Sequence, residues 1–186
     1  MKSACKTIMW GLFLSTFHIN VGEFQILPAF VGWLMIARAV EEIMKEYSLH
    51  AYKKAHLYAS LVAIETILSF VLNLLVRSNE YIQVLTLIYM IFNLLFIYYF
   101  MEGSLEYLRI HGKHSEAEHY KRIQLYFIIF CVMIDIIGGI SLVTGSGEWN
   151  SVAGGMGIIL VLSLMITIKN IKNIEVDQQV IEGEEA

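Results

Sequence analysis

Three side chains capable of chemistry stand inside long apolar runs. Glu65 is the eleventh of 22 residues in Ala55 to Val76, Asn93 the thirteenth of 21 in Tyr81 to Met101, and Asp135 the thirteenth of 22 in Ile123 to Thr144. If each run is a helix, Thr86, Tyr89 and Asn93 share one face, as do Cys131, Asp135 and Gly139, because positions three and four apart stack along a helix. No Lys or Arg stands at the same depth: Arg38 is near the inner end of its apolar run and His18 toward the outer end of another. An isolated ionised carboxylate in hydrocarbon is too costly to persist, which leaves two chemistries. Either the two acids are neutral and glue helices together through amides and hydroxyls, or they are carboxylates serving a cation or a cationic ligand. Glu65, Asn93, Asp135, Thr86, Tyr89 and His18 are the candidate ligand-binding or ion-binding residues. Midplane placement on three successive segments tips the balance toward a polar cavity.

A second group is looser. Between Arg109 and Arg122 lie His111, His114, Glu116, Glu118 and His119. On a helix, His111 and His114 would share a face, and imidazole with carboxylate suits zinc; a solvated, pH-responsive extension of two helices explains the same residues without a metal. The sequence has no HExxH, no phosphate-cradling glycine loop and no nucleophile elbow. An enzyme would have to work with these scattered acids and histidines, so the pattern favours a non-catalytic protein that needs no cofactor.

The elements that position these groups follow from composition. Of 186 residues, 57% are hydrophobic and 16% charged, against roughly 45–50% and about 25% in soluble domains. That excludes a soluble domain, a disordered chain, a nucleic-acid binder and a disulfide scaffold, and leaves an all-α polytopic membrane bundle whose first partner is the lipid bilayer. A helix crossing about 30 Å of hydrocarbon needs about 20 apolar residues. Six spans are expected, at about 4–21, 26–40, 55–76, 81–101, 123–144 and 152–168, all in one domain over 1–173. The first two are short and separated by only Gly22 to Gln25, so a re-entrant hairpin followed by four spans is the alternative.

Basic residues set the orientation. With six spans, one face collects Lys2, Lys6, Arg38, Lys45, Lys53, Lys54, Arg109, Lys113, Lys121, Arg122, Lys169 and Lys172, and the other receives only Arg77. Both termini are therefore expected in the cytoplasm. The net charge of −4 comes from Glu175, Asp177, Glu182, Glu184 and Glu185, in a tail over 174–186 that reads as acidic and mobile, or as a docking peptide. Cys5 and Cys131 are too far apart in this topology for a disulfide.

Each outer connection carries a glutamate followed by an aromatic: Glu23-Phe24, Glu80-Tyr81 and Glu148-Trp149. Gly22 and Gly147, which open two of these, are each followed ten residues later by another glycine, Gly32 and Gly157. Turns and the interfacial aromatic belt account for this; a threefold repeat of helical hairpins accounts for it too. Ala51, Ala55, Ala59 and Ala63, together with Ser151, Ala153, Gly155 and Gly157, form small-residue faces that let helices approach closely. They either pack within the chain or dock another membrane protein.

The stretch His18-Ile19-Asn20-Val21-Gly22, then Ile26-Leu27-Pro28-Ala29-Phe30-Val31-Gly32, resembles a pattern in small uncharacterised multi-pass proteins of Gram-positive bacteria. There an Ile-Asn-x-Gly turn precedes an Ile-Leu-Pro-Asp-Phe-Ile-Gly helix start; Ala29 stands where that family carries an acid. The resemblance implies a bacterial plasma membrane and no particular activity. Size and six spans are also similar to the substrate-binding subunits of energy-coupling-factor vitamin transporters. Two functions are thus expected to compete: a small-molecule or ion-binding transport component with a polar midplane cavity, and an accessory or regulatory protein docking through small-residue faces or the acidic tail. A metal enzyme using His111, His114 and His119 is a third.

Overall fold

The computed structural model describes the backbone of residues 2–16, 20–21, 24–25, 28–75, 79–145 and 147–184, and the side chains of 3–16, 28–75, 81, 83–145, 148–149 and 151–171. His18, Gly22, Glu23, Arg77 and the side chains of Glu80 and of the acidic tail lie outside the described residues. Six helices are described: α1 (Lys2–Thr16), α2 (Ala29–Tyr47), α3 (His50–Leu75), α4 (Asn79–Ile110), α5 (His114–Thr144) and α6 (Gly147–Glu184). A two-residue antiparallel ladder, β1 (Asn20–Val21) with β2 (Phe24–Gln25), lies between α1 and α2.

Four helices are long and apolar enough to cross a membrane, within His50–Leu75, Gln83–Ile110, His114–Thr144 and Ser151–Ile171. At 1.5 Å per residue, the 15 residues of α1 reach only about 22 Å. The 19 residues of α2 are long enough, but Arg38, Glu41, Glu42, Lys45 and Glu46 crowd its second half.

Local chemistry sets the helix ends. Pro28, extended at φ −66° and ψ 140°, caps the start of α2, where its missing N–H costs nothing. Ser48 ends α2 in the left-handed region and returns its N–H to Met44 O at 2.9 Å. Gly112 and Gly145 take the same conformation, at φ 72° and 66°, which glycine adopts without a steric penalty. The stretch from Arg109 to Arg122 is therefore almost wholly helical, broken only by the turn at His111 to Lys113.

Each helix packs against the next, and α6 returns to α1, closing a ring. Its centre is aromatic: Trp33 of α2, Phe96 and Phe100 of α4 and Tyr52 of α3 are all buried, with Trp33 set edge-on to Phe96 at 5.3 Å. One end of the ring is closed by a separate cluster. Tyr107, Leu108, Ala117, Tyr120 and Ile171 pack with Tyr47 and Leu49, joining the α2–α3 turn, the α4–α5 turn and α6. A narrow crevice bounded by Cys5, Ile43, Tyr52, Ser104, Ile168 and Ile171 brings the start of α1 to the same end.

Two close approaches hold the ring. Ala51, Ala55, Ala59 and Ala63 are all buried, so this face packs within the chain. At the α1–α2 crossing the backbones nearly touch: a Cβ on Gly11 would lie 2.7 Å from Gly32 O, and one on Gly32 would lie 2.6 Å from Ser15 N. Gly157, which the hairpin repeat pairs with Gly32, has open space where a Cβ would stand, so the two glycines do different work. Gly32→Ala is expected to lower the melting midpoint in detergent by several degrees, since backbone cannot yield to an added methyl and overpacking costs about 1–3 kcal/mol. Gly139→Ala, whose Cβ meets nothing within 4 Å, should leave the midpoint unchanged.

Candidate functional site

The polar residues of the apolar helices fall into two adjacent cavities. The larger, about 410 Å³, lies inside the ring between α1, α4, α5 and α6. Thr86, Tyr89 and Asn93 reach it from α4, Cys131 and Asp135 from α5, Ser15 and Thr16 from the end of α1, and Gly154 and Gly157 from α6. The helical spacing of Thr86, Tyr89 and Asn93 turns all three to the same side, and Cys131 and Asp135, four apart, do likewise. Gly139, grouped with them by spacing, is not among the lining residues.

Asp135 is the only acid lining this cavity among the described residues, and no base lines it. Its carboxylate and the Asn93 amide make no hydrogen bond or ion pair with described residues, and both side chains are half-buried. Ser15 Oγ and Thr16 Oγ1 donate to Leu12 O at 3.0 and 2.9 Å, so their lone pairs remain. Gly154 and Gly157 leave room that a larger residue would fill. The volume suits a small solute, and a carboxylate, an amide and hydroxyl lone pairs suit one that carries positive charge or donates hydrogen bonds.

The smaller cavity, about 260 Å³, lies between the start of α2, α3 and α4, lined by Pro28, Glu65, Thr66, Ser69, Asn73 and Phe70, with Thr86 and Tyr89. Glu65 is 6% exposed. Its Oε1 accepts the Ser69 hydroxyl at 2.6 Å, while Oε2 is buried without a partner. Glu65 thus does not join Asn93 and Asp135 in one pocket; Thr86 and Tyr89 form a wall common to both cavities. The reason is geometric. In a ring of helices α3 and α5 are separated by α4, so acids at similar depth on each meet opposite flanks of α4.

Ser69 and Asn73 were not singled out from the sequence, although Glu65, Ser69 and Asn73 follow one another at intervals of four on α3. Ser15 and Thr16 carried no signal, because only the closure of α6 onto α1 brings them to the cavity. Gln124 was also missed: buried in α5, it donates to Tyr98 O at 3.1 Å and lies 3.4 Å from Glu102 Oε2 on α4.

The histidines are dispersed. His111 stands in the turn after α4, with Nδ1 2.8 Å from Tyr107 O, and its ring lies 4.2 Å from that of Tyr107. His114 opens α5 and His119 lies edge-on to Tyr120. The turn at Gly112 breaks the helical spacing that a shared ligand face of His111 and His114 requires. Among the described residues no three His, Cys, Asp or Glu are grouped closely enough to hold a metal ion. Ion pairs among the described residues join exposed side chains: Lys45 with Glu41 at 2.6 Å, where the ammonium holds the Glu41 carboxyl below its ordinary range, Arg38 with Glu42 at 3.8 Å, and Arg109 of α4 with Glu118 of α5 at 3.9 Å. Exposed i,i+4 pairs of this kind contribute little.

Ser69→Ala removes the one hydrogen bond to a buried carboxyl and is expected to cost about 1–3 kcal/mol. In a Glu65→Ala background the same change should cost only a fraction of that. A double-mutant cycle on melting midpoints checks the coupling.

Compared with protein families, curated proteins and solved structures, the chain has no match, so composition and the four apolar helices carry the conclusion that this is a multi-pass membrane protein.

Proposed function

We propose that the protein is a small-solute binding component of membrane transport, with its site in the cavity at Asp135. The observation that carries this reading is the meeting of Thr86, Tyr89, Asn93, Cys131 and Asp135 with the end of α1 around one 410 Å³ space. A structure that needed Asp135 and Asn93 only as glue between helices would pair them, as it pairs Gln124 with Tyr98 O. Here both groups are left for a solute that is cationic or rich in donors.

The topology proposed with it is six spans with both termini in the cytoplasm of a bacterial plasma membrane. Three features support it. The start of α1, the α2–α3 turn, the α4–α5 turn and the second half of α6 gather at one end of the ring, and the six-span topology assigns twelve of the thirteen basic residues to that face. Trp10, Phe13 and Leu34 of α1 and α2 are exposed, as residues facing lipid would be. A partner-docking role keeps one favourable observation: the Ser151 and Gly155 face of α6 points outward, whereas the alanine face of α3 is used internally.

Cys131 supplies a direct test. In a Cys5→Ser background, a small hydrophilic methanethiosulfonate should modify Cys131 in the folded protein, because the thiol lines a space that solutes enter. Asp135→Asn should slow modification by a cationic reagent several-fold relative to a neutral one of similar size. A thiol that reacts only after unfolding would remove the solute cavity.

A further inference from the structure

We infer that the cavity at Glu65 is a separate binding site for a small cation, an alkali-metal ion or a protonated primary amine, with the Glu65 carboxylate as its charge partner. The argument begins with the orphan oxygen. Glu65 is more than nine-tenths buried, its Oε1 is held by Ser69, and Oε2 has no partner. Gaining a proton does not repair this: an O–H at Oε2 has no acceptor, and a proton on Oε1 leaves Oε2 a bare carbonyl. A buried polar atom left unmatched in either state calls for a third group, and Glu65 is among the residues lining a cavity with room for one.

The rest of the lining specifies positive charge. Thr66 Oγ1 donates to Val62 O and Ala63 O at 2.8 and 3.0 Å, and Ser69 Oγ donates to Glu65. Both hydroxyl hydrogens are thereby committed, and lone pairs remain for the cavity. Asn73 adds an amide oxygen, and Phe70 and Tyr89 add aromatic rings, whose faces attract cations. No Lys, Arg or His lines the space among the described residues. Oxygen donors with one carboxylate are the ligand set of hard cations and equally fit an ammonium head. An anion would meet the Glu65 carboxylate and no positive charge among the described lining residues.

The site stands whether or not the Asp135 cavity holds a solute. Where both are filled, Thr86 and Tyr89 touch both occupants, so each changes the affinity of the other by the same factor.

The test uses the purified full chain in detergent, held at constant ionic strength and pH with N-methylglucamine chloride as the bulky reference. Sodium, potassium and methylammonium chlorides are titrated in turn while the melting midpoint is read. The expected result is a saturable rise of a few degrees with at least one small cation. It should be abolished by Glu65→Gln and retained by Asp135→Asn. Sodium or potassium alone identifies an inorganic ion; methylammonium alone identifies an amine. If Glu65→Gln does not fold, Ser69→Ala, which keeps the carboxylate but frees it from its holder, should shift the titration midpoint several-fold. No cation-specific rise in the wild type, an identical rise in all variants, or a response to pH alone would each overturn the site. A rise lost in Asp135→Asn but kept in Glu65→Gln would overturn it as well. Cys131 labelling is read independently, so failure here leaves the solute cavity standing and the reverse also holds.

Discussion

Helices surrounded by hydrocarbon gain nothing from hiding apolar surface against one another, because lipid is as apolar as their own side chains. Association then depends on how closely the helices approach and on the polar groups they share. The whole ring follows from that constraint. Gly11 and Gly32 let α1 and α2 touch backbone to backbone, and the buried alanines every fourth residue along α3 serve the same purpose in its packing. Gly103 allows the Tyr52 ring to lie flush on α4, where an added Cβ would be 2.7 Å from it. The large residues that remain outward, among them Leu75, Tyr81, Ile136 and Ile166, are ordinary for a surface that meets acyl chains.

The same solvent forces every polar atom to find a partner inside the protein. Most do so within their own helix: Thr66, Ser104, Thr144 and Thr167 all donate to a carbonyl one turn back. Others bind helices together, as His56 does with Ala37 O at 3.0 Å and Tyr52 with Ser104 at 3.3 Å. Lys54 resolves its charge by lying over the Tyr99 ring, 4.8 Å from the centroid. Against this background the exceptions carry meaning. Among the described residues, Asp135 and Asn93 line open space without a hydrogen-bond partner, and one oxygen of Glu65 is buried without one.

The two ends of the ring differ in kind. The end holding the α2–α3 and α4–α5 turns is packed shut by Tyr47, Tyr107, Leu108 and Tyr120. Both cavities lie away from it, toward Pro28, Asn73 and the end of α1.

Class and helix face were legible without coordinates. Scarce charge forces a membrane solvent on this chain, and the 3.6-residue period alone puts Thr86, Tyr89 and Asn93 on one side of α4 and Cys131 with Asp135 on one side of α5. The helix breaks at Gly112 and Gly145, where glycine takes a positive φ, are a local property of the backbone. Whether Glu65 shares a pocket with Asp135 was not a local property. It depends on the order of helices around the ring, and a helix presents different flanks to its two neighbours, so equal depth places the two acids in separate cavities. The contribution of Ser15 and Thr16, and the internal use of the alanine face, were likewise decided by α6 closing onto α1 and by α3 packing against its neighbours. Local spacing determines which residues share a face; only the tertiary arrangement decides what that face meets.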